Sequence, residues 1–255
     1  MSPTRTTITR SLPTAALLGA VLLAGPATGT AAAAKHTPCP TAGTTLVRTT
    51  GPNVRVWREG TTLKACTRRP GQRRYLRTLG PWSSATKVAV GGTSVAWTTR
   101  VATPDAPADR LASRDLRTGS TWLSTTRAIP AASASAPAAS DTVLRLLTDG
   151  RATAWVTARG VVAAAVRTFD PEATTLYGEG LPGTVPSHVG RRFVLADVGP
   201  SQAASVASRL ALSVGGDGDE CGGTNDHRVD VPAVDGVPQR WFVYASESYE
   251  RPNCP

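Results

Sequence analysis

The chain reads as an all-β protein built of repeated four-stranded units, and three observations lead to that reading. A strand-like run carrying tryptophan recurs, as Val54-Arg55-Val56-Trp57, Ser94-Val95-Ala96-Trp97 and Thr153-Ala154-Trp155. Further short apolar segments flank each run, so that four strand-length stretches make one unit. Gly, Asp-Gly and Thr-Gly turns punctuate the stretches.

Residues 1–34 stand outside this pattern. Arg5 and Arg10 precede an apolar run from Ala15 to Ala24, and a small-residue stretch ends at Ala31-Ala32-Ala33-Ala34. The apolar run falls short of the roughly 20 residues a membrane span needs. Basic start, short apolar centre and small-residue exit make a cleavable secretory signal, with A-x-A cleavage after Ala33 or Ala34. Pro26 stands where a lipid-bearing cysteine would follow Leu22-Leu23-Ala24-Gly25, and no twin arginine precedes the apolar run. No second apolar stretch of membrane length exists in the mature chain, so the expectation is a monomer that is secreted, extracellular or cell-wall associated.

About 220 residues remain, enough for one sizeable core and marginal for two domains. We read 35–43 as a linker and 44–255 as a single β domain, with an irregular segment over 200–255. Arginine far outnumbers lysine, which is present only at 35, 64 and 87, and Ala, Gly, Pro and Thr are abundant. That usage is similar to GC-rich, actinobacterial-type genomes.

The net charge of +10 is unevenly placed. Two positive charges leave with the signal. Between 48 and 77 lie Arg48, Arg55, Arg58, Lys64, Arg68, Arg69, Arg73, Arg74 and Arg77, against Glu59 alone. Residues 201–255 lean the other way, with eight acids against four arginines. The four cysteines, Cys39, Cys66, Cys221 and Cys254, make an even number in a chain read as exported. Of the three pairings they allow, Cys39–Cys66 and Cys221–Cys254 close short loops within one end of the chain. No C-x-x-C occurs, so zinc ribbons and thioredoxin-like redox chemistry lack support.

The first unit runs Leu46-Val47, Val54–Trp57, Leu63–Cys66, Tyr75-Leu76. The second runs Lys87–Val90, Ser94–Trp97, Leu111–Leu116, Thr121–Leu123. The third runs Val143–Leu147, Thr153–Trp155, Val161–Val166, Thr175–Tyr177. Trp97 and Trp155 are further apart than Trp57 and Trp97 because a low-complexity loop, 131–140, intervenes. Arg192–Val198 mirrors the earlier leading strands and is expected to open a fourth unit. Beyond it, Ser201–Leu210 is compatible with a helix and Trp241–Tyr244 with an isolated strand.

Within the second unit, Gly91-Gly92-Thr93-Ser94-Val95-Ala96-Trp97 and Arg114-Asp115-Leu116-Arg117-Thr118-Gly119 resemble parts of one blade in TolB-like and WD40-like β-propellers. The first stretch stands where those blades place a turn and their second strand; the second stands at the third strand and its D-L-x-T-G turn. This resemblance implies a small or incomplete β-propeller, and an ordinary β-sandwich is the alternative. A closed ring needs at least four blades; three are plain, and the fourth has only its leading strand.

Chemistry-bearing motifs are few. Ser84-Ala85-Thr86-Lys87 matches S-x-x-K but runs straight into the strand-like Val88-Ala89-Val90, and K-T-G is missing, so it reads as a chance match. No G-x-S-x-G occurs. His36, His188 and His227 read as surface or turn residues. The stretch from Gly215 to Asp226 alternates Gly with acids, and Asp217, Asp219, Glu220 and Asp226 form a candidate Ca²⁺ set. Its register does not follow the EF-hand, because the closing bidentate Glu would fall on Arg228, and a flexible acidic turn is the simpler reading. No other cofactor is implied.

The basic stretch is the stronger binding candidate. Arg68, Arg69, Arg73 and Arg74 form a hairpin tip, with Arg55, Arg58, Lys64 and Arg77 on flanking strands. Outside a cell such a patch attracts anionic cell-wall polymers or an envelope protein. Nucleic acid would bind by charge alone, but an exported protein rarely meets it. The expectation is therefore an exported non-catalytic binding or scaffold protein. The alternative is an extracellular hydrolase or lyase with a site at a propeller funnel. It requires acids and a histidine converging in one pocket.

Overall fold

Antiparallel strands organise the computed structural model, which describes residues 38–51, 53–68, 73–102, 107–129, 141–178, 181–218 and 222–250. In chain order the strands are β1 (Thr44–Arg48), β2 (Val54–Glu59), β3 (Thr62–Thr67), β4 (Tyr75–Pro81), β5 (Val88–Gly91), β6 (Ser94–Val101), β7 (Ala108–Asp115), β8 (Thr121–Ser124) and β9 (Val143–Thr148). Next come β10 (Ala152–Thr157), β11 (Val161–Val166), β12 (Thr175–Gly178), β13 (Leu181–Thr184), β14 (His188–Val189) and β15 (Arg192–Asp197). The helix α1 (Pro200–Arg209) leads to β16 (Ala211–Gly218), β17 (Gly222–Val231) and β18 (Arg240–Glu250). The fold is all-β, with antiparallel blade-like sheets. The signal segment, Arg69, Asp219, Glu220, Cys221, Cys254, His36 and the 131–140 loop lie outside the described residues.

β1–β4 and β5–β8 form two four-stranded meanders, as the first two units predict. Local turn chemistry explains why they were legible. The Asp115 carboxylate accepts the Arg117 and Thr118 amides at 2.9 and 3.3 Å, closing the D-L-x-T-G turn between β7 and β8.

The third and fourth sheets depart from the sequence reading. Their orders are β14-β15-β11-β10-β9 and β13-β12-β18-β17-β16. Arg192–Asp197 therefore completes the third sheet beside β11 rather than opening a fourth unit. Thr175–Tyr177, expected as the third unit's last strand, lies in β12 and pairs instead with β18. The physical reason lies in β11, whose six residues Val-Val-Ala-Ala-Ala-Val are buried throughout. It needs a partner of matching length and apolar character, and β15 supplies buried Phe193, Leu195 and Ala196. The four-residue Thr-Leu-Tyr-Gly of β12 is only partly buried. The chain crosses to the fourth sheet, returns, and crosses again, which interlocks the two.

The expected helix forms over Pro200–Arg209, with Pro in its first turn and Arg209 in its last. It buries Ala203, Val206 and Ala207, and Val206 and Ala207 join the core between the third and fourth sheets. Trp241–Tyr244 is not isolated; it lies inside β18, the middle strand of the fourth sheet.

Three cores lie between successive sheets. Val54, Val56, Leu63 and Ala65 of the first meet Val95, Trp97 and Leu116 of the second. Ala96, Leu111 and Leu123 meet Trp155, Val161, Ala163 and Ala165 of the third. Ala154, Val156, Val162, Phe193 and Leu195 meet Val229, Phe242 and Tyr244 of the fourth. The sheets are thus stacked in a row, and the ring is not closed: among the described residues no apolar core joins the fourth sheet to the first. Between the second and third sheets two turns touch backbone to backbone. A Cβ at Gly91 would lie 2.3 Å from the Asp149 backbone, and one at Gly150 would lie 2.8 Å from the Gly91 carbonyl. Only glycine permits that approach.

The first sheet's free face is pinned by the Cys39–Cys66 disulfide, across a separation of 27 residues. In the chain-entropy picture a loop of that length contributes about 3–4 kcal/mol. Replacing Cys39 and Cys66 together by serine should lower the urea midpoint by a corresponding amount. An unchanged midpoint would show that the bridge constrains nothing.

Candidate binding site

β2 and β3 divide the basic residues between two faces. Arg55 and Trp57 lie opposite Cys66 and Lys64, while Arg58 lies opposite Leu63 and Arg77 opposite Ala65. Arg55 and Lys64 consequently share the free face of the first sheet, and Arg58 and Arg77 point toward its other side. The arginines from 55 to 77 do not form one contiguous face.

Arg55 is 8% exposed and its guanidinium is enclosed. Nε donates to Thr45 Oγ1 at 2.9 Å, Nη1 donates to the Pro40 carbonyl, and Nη2 donates to the carbonyls of Thr41, Ala42 and Gly43 at 3.0–3.1 Å. The side chain also lies over the Trp57 ring, 4.9 Å from its centroid. It clasps the segment Pro40–Gly43 onto the sheet rather than reaching solvent. Several of the other cations are similarly engaged. Lys64 pairs with Glu59, Arg58 lies 4.4 Å over Trp82, and Arg74 donates to the Pro38 carbonyl at 3.0 Å. Arg77 donates to the carbonyls of Leu116 and Arg117 at 3.1 and 3.3 Å, tying the first sheet to the second. Arg73 is exposed.

Beside the clasp lies a cavity of about 280 Å³, lined by the Cys39 half of the disulfide together with Arg48, Arg55, Arg68 and Asn53. Arg48 is exposed. Arg68 has a buried Nε with no hydrogen-bond partner among the described residues. A buried, unpaired guanidinium nitrogen is costly unless something accepts from it. Guanidinium groups pair bidentately with phosphate and carboxylate, so the cavity has the chemistry of an anion site. Arg48 was visible in the sequence as one of the charges in the stretch, but only the fold brings it, on β1, to the cavity that Arg68 lines just past the end of β3.

Of the acidic stretch, residues 215–218 and 222–226 lie in β16 and β17, paired as far as Gly218 opposite Gly223. Asp226 lies further down β17, opposite Gly215, and accepts from Ser246 Oγ at 2.5 Å. Among the described residues no group of three His, Cys, Asp or Glu side chains is arranged to hold a metal.

His188 stacks on Phe193 at 5.3 Å between ring centroids. His227, expected as a surface or turn residue, lies in β17 between two acids. Its Nδ1 lies 3.9 Å from Asp149 Oδ2 and its Nε2 lies 3.6 Å from Glu247 Oε2. Asp149 is already engaged: Oδ1 accepts the Arg151 and Ala152 amides at 2.8 Å, and Oδ2 accepts the Tyr244 hydroxyl at 2.6 Å. Burial pushes the Tyr244 hydroxyl's pKa far up, and its hydrogen bond to Asp149 adds to this. Arg151 pairs with Glu247 and holds its carboxyl below the usual range. The cluster ties the β9–β10 turn to the fourth sheet, and sequence could not reveal it because Asp149 and Tyr244 are 95 residues apart.

No protein-family model matches the sequence, and no curated protein matches it. The solved structure of Hsv2p from Kluyveromyces lactis aligns with 81% of this chain and 74% of its own, at 8% identity and a TM-score of 0.25. Likeness at that level carries nothing about function.

Tyr244→Phe removes the donor to Asp149 and should destabilise the protein by about 1.5–3 kcal/mol, as expected for a hydrogen bond to a charged group. Chemical denaturation measures it, and a change below experimental error would mean that water replaces the hydroxyl.

Proposed function

We propose that the chain is an exported, non-catalytic binding or scaffold protein that contacts anionic cell-envelope polymers. The contact is made at the arginine-lined cavity on the first sheet's free face. The observation that carries this reading is the buried Nε of Arg68, without a partner among the described residues, beside the exposed Arg48, in a cavity walled by a third arginine. The secretory pattern of residues 1–34 supports export, and a disulfide persists in oxidising compartments. Phosphate or carboxylate groups repeated along a polymer would meet the cavity one at a time, while Arg73 adds diffuse attraction.

A second reading, an extracellular hydrolase or lyase, is favoured by His227 standing between Asp149 and Glu247. Catalysis there would need His227 to act on a substrate entering from the Arg151–Tyr244 side, where a cavity of about 260 Å³ lies. A hydrolytic screen of the mature protein against extracellular polysaccharides tests it, since His227→Ala should abolish any activity found.

The binding reading predicts retention of the purified mature protein on cell walls bearing teichoic acids, falling as ionic strength rises. Reversing Arg48 and Arg68 together to Glu should weaken low-salt retention at least about tenfold, as loss of two charge-assisted contacts implies. Salt-insensitive retention, or retention unchanged by the double reversal, would rule out the cavity as the cause.

A further inference from the structure

The free face of the fourth sheet differs in kind from every other onward face in the row. Where the second sheet turns Ala96, Leu111 and Leu123 toward its successor, and the third turns Ala154, Val156 and Val162, the cores are apolar. On the fourth sheet the register places Tyr177 opposite Trp241, Trp241 opposite Asp230, Val243 opposite Arg228, and Asp226 opposite Gly215. The opposite face of the same strands carries Phe242, Tyr244 and Val229 into the core. The free face therefore mixes two aromatic rings with carboxylates and a guanidinium.

These groups surround a cavity of about 380 Å³, lined by Tyr177, Trp241, Val243, Asp226, Arg228 and the glycines 215 and 216. The Tyr177 and Trp241 rings are near parallel, 16° apart, with centroids 6.1 Å from one another. Tyr177 is 38% exposed. Arg228 Nε is held by Ser213 Oγ and Asp230 Oδ1, both at 3.0 Å. Its orientation is therefore set before any ligand arrives. Glycine keeps the space open in two places. A Cβ at Gly215 would lie 2.9 Å from the Arg228 guanidinium carbon, and one at Gly183 would lie 2.7 Å from the Tyr177 ring.

We infer that this cavity is a glycan-binding site that takes a neutral pyranose unit of a polysaccharide chain. A sugar ring has an apolar C–H face and a rim of hydroxyls. Parallel aromatic rings suit the first. A carboxylate acceptor and a guanidinium donor on the neighbouring strand suit the second. The mixed charge disfavours the two obvious competitors: Asp226 and Asp230 repel a polyanion, and Arg228 repels a cation seeking an aromatic cage. The site is separate from the arginine-lined cavity and takes a different class of ligand, so either can fail without the other.

Affinity electrophoresis of the mature protein through gels containing starch, dextran, laminarin, mannan or glycol chitin tests the inference. The expected result is retardation by at least one of these polymers, undiminished by salt. Tyr177→Ala and Asp226→Asn should each weaken that retardation at least about tenfold. Unchanged near-ultraviolet circular dichroism would show the variants folded, and a variant that fails this is replaced by Gly215→Val, which drives a side chain into Arg228. No retardation by any polymer, retardation equal in wild type and folded variants, or displacement of the polymer by choline rather than by its oligosaccharide would each overturn the proposal.

Discussion

A row of sheets that does not close on itself has two end faces, and the first of them is handled by one arginine. Arg55 projects onto the side of the first sheet that no other sheet covers. A guanidinium there is tolerable only if its donors are satisfied. Thr45 and the carbonyls of residues 40–43 satisfy them. In doing so they draw a segment of extended chain across Trp57, which is 2% exposed. The disulfide from Cys39 to Cys66 anchors the same segment at a second point. Chain and bridge thus stand in for a neighbouring sheet, and the arginine-lined cavity is the gap left at their margin.

The interior follows a different rule. Sheets two and three have partners on both sides, and their strands read accordingly. β10 and β11 are buried at every position. Alanine fills the three central positions Ala163–Ala165 of β11, where two apolar cores approach the same sheet closely. Trp155 fills the remaining space toward the second sheet, its indole N–H donating to the Ala128 carbonyl at 2.7 Å. The polar end of that ring therefore costs little to bury.

The recurring tryptophan made the repeat legible, and its placement explains why. Trp97 faces the first sheet and Trp155 faces the second. Trp57 occupies the equivalent position, facing where a preceding sheet would be. One strand position thus performs one packing task three times, and such a task leaves a sequence trace. The exchange of β12 and β15 between the last two sheets leaves none. β12 has four residues and β15 has six, and which of them pairs with β11 is decided by the match to its fully buried strand, a contact remote in sequence. The same limit applies to the sites. Arginines clustered along the chain announced charge, yet the register sent Arg58 and Arg77 to one face and Arg55 to the other. His227 gained its acidic neighbours only through contacts remote in sequence.

The final face completes the comparison with the first. A terminal sheet whose onward face matched the apolar faces of its predecessors would expose a large hydrophobic surface and an invitation to associate. At positions facing away from the core, β17 instead carries Asp226, Arg228 and Asp230, and β16 carries Ser213 and Gly215. Those residues cannot serve as half of another inter-sheet core, because burying three charges without full pairing would cost more than the contact returns. The row therefore ends here for a physical reason written in alternation: apolar toward the third sheet, charged toward water. Yet Trp241 and Tyr177 stand on the charged side, where solubility alone would place neither. Their presence, with two glycines holding space around them, is what separates a merely soluble end from one shaped to hold something.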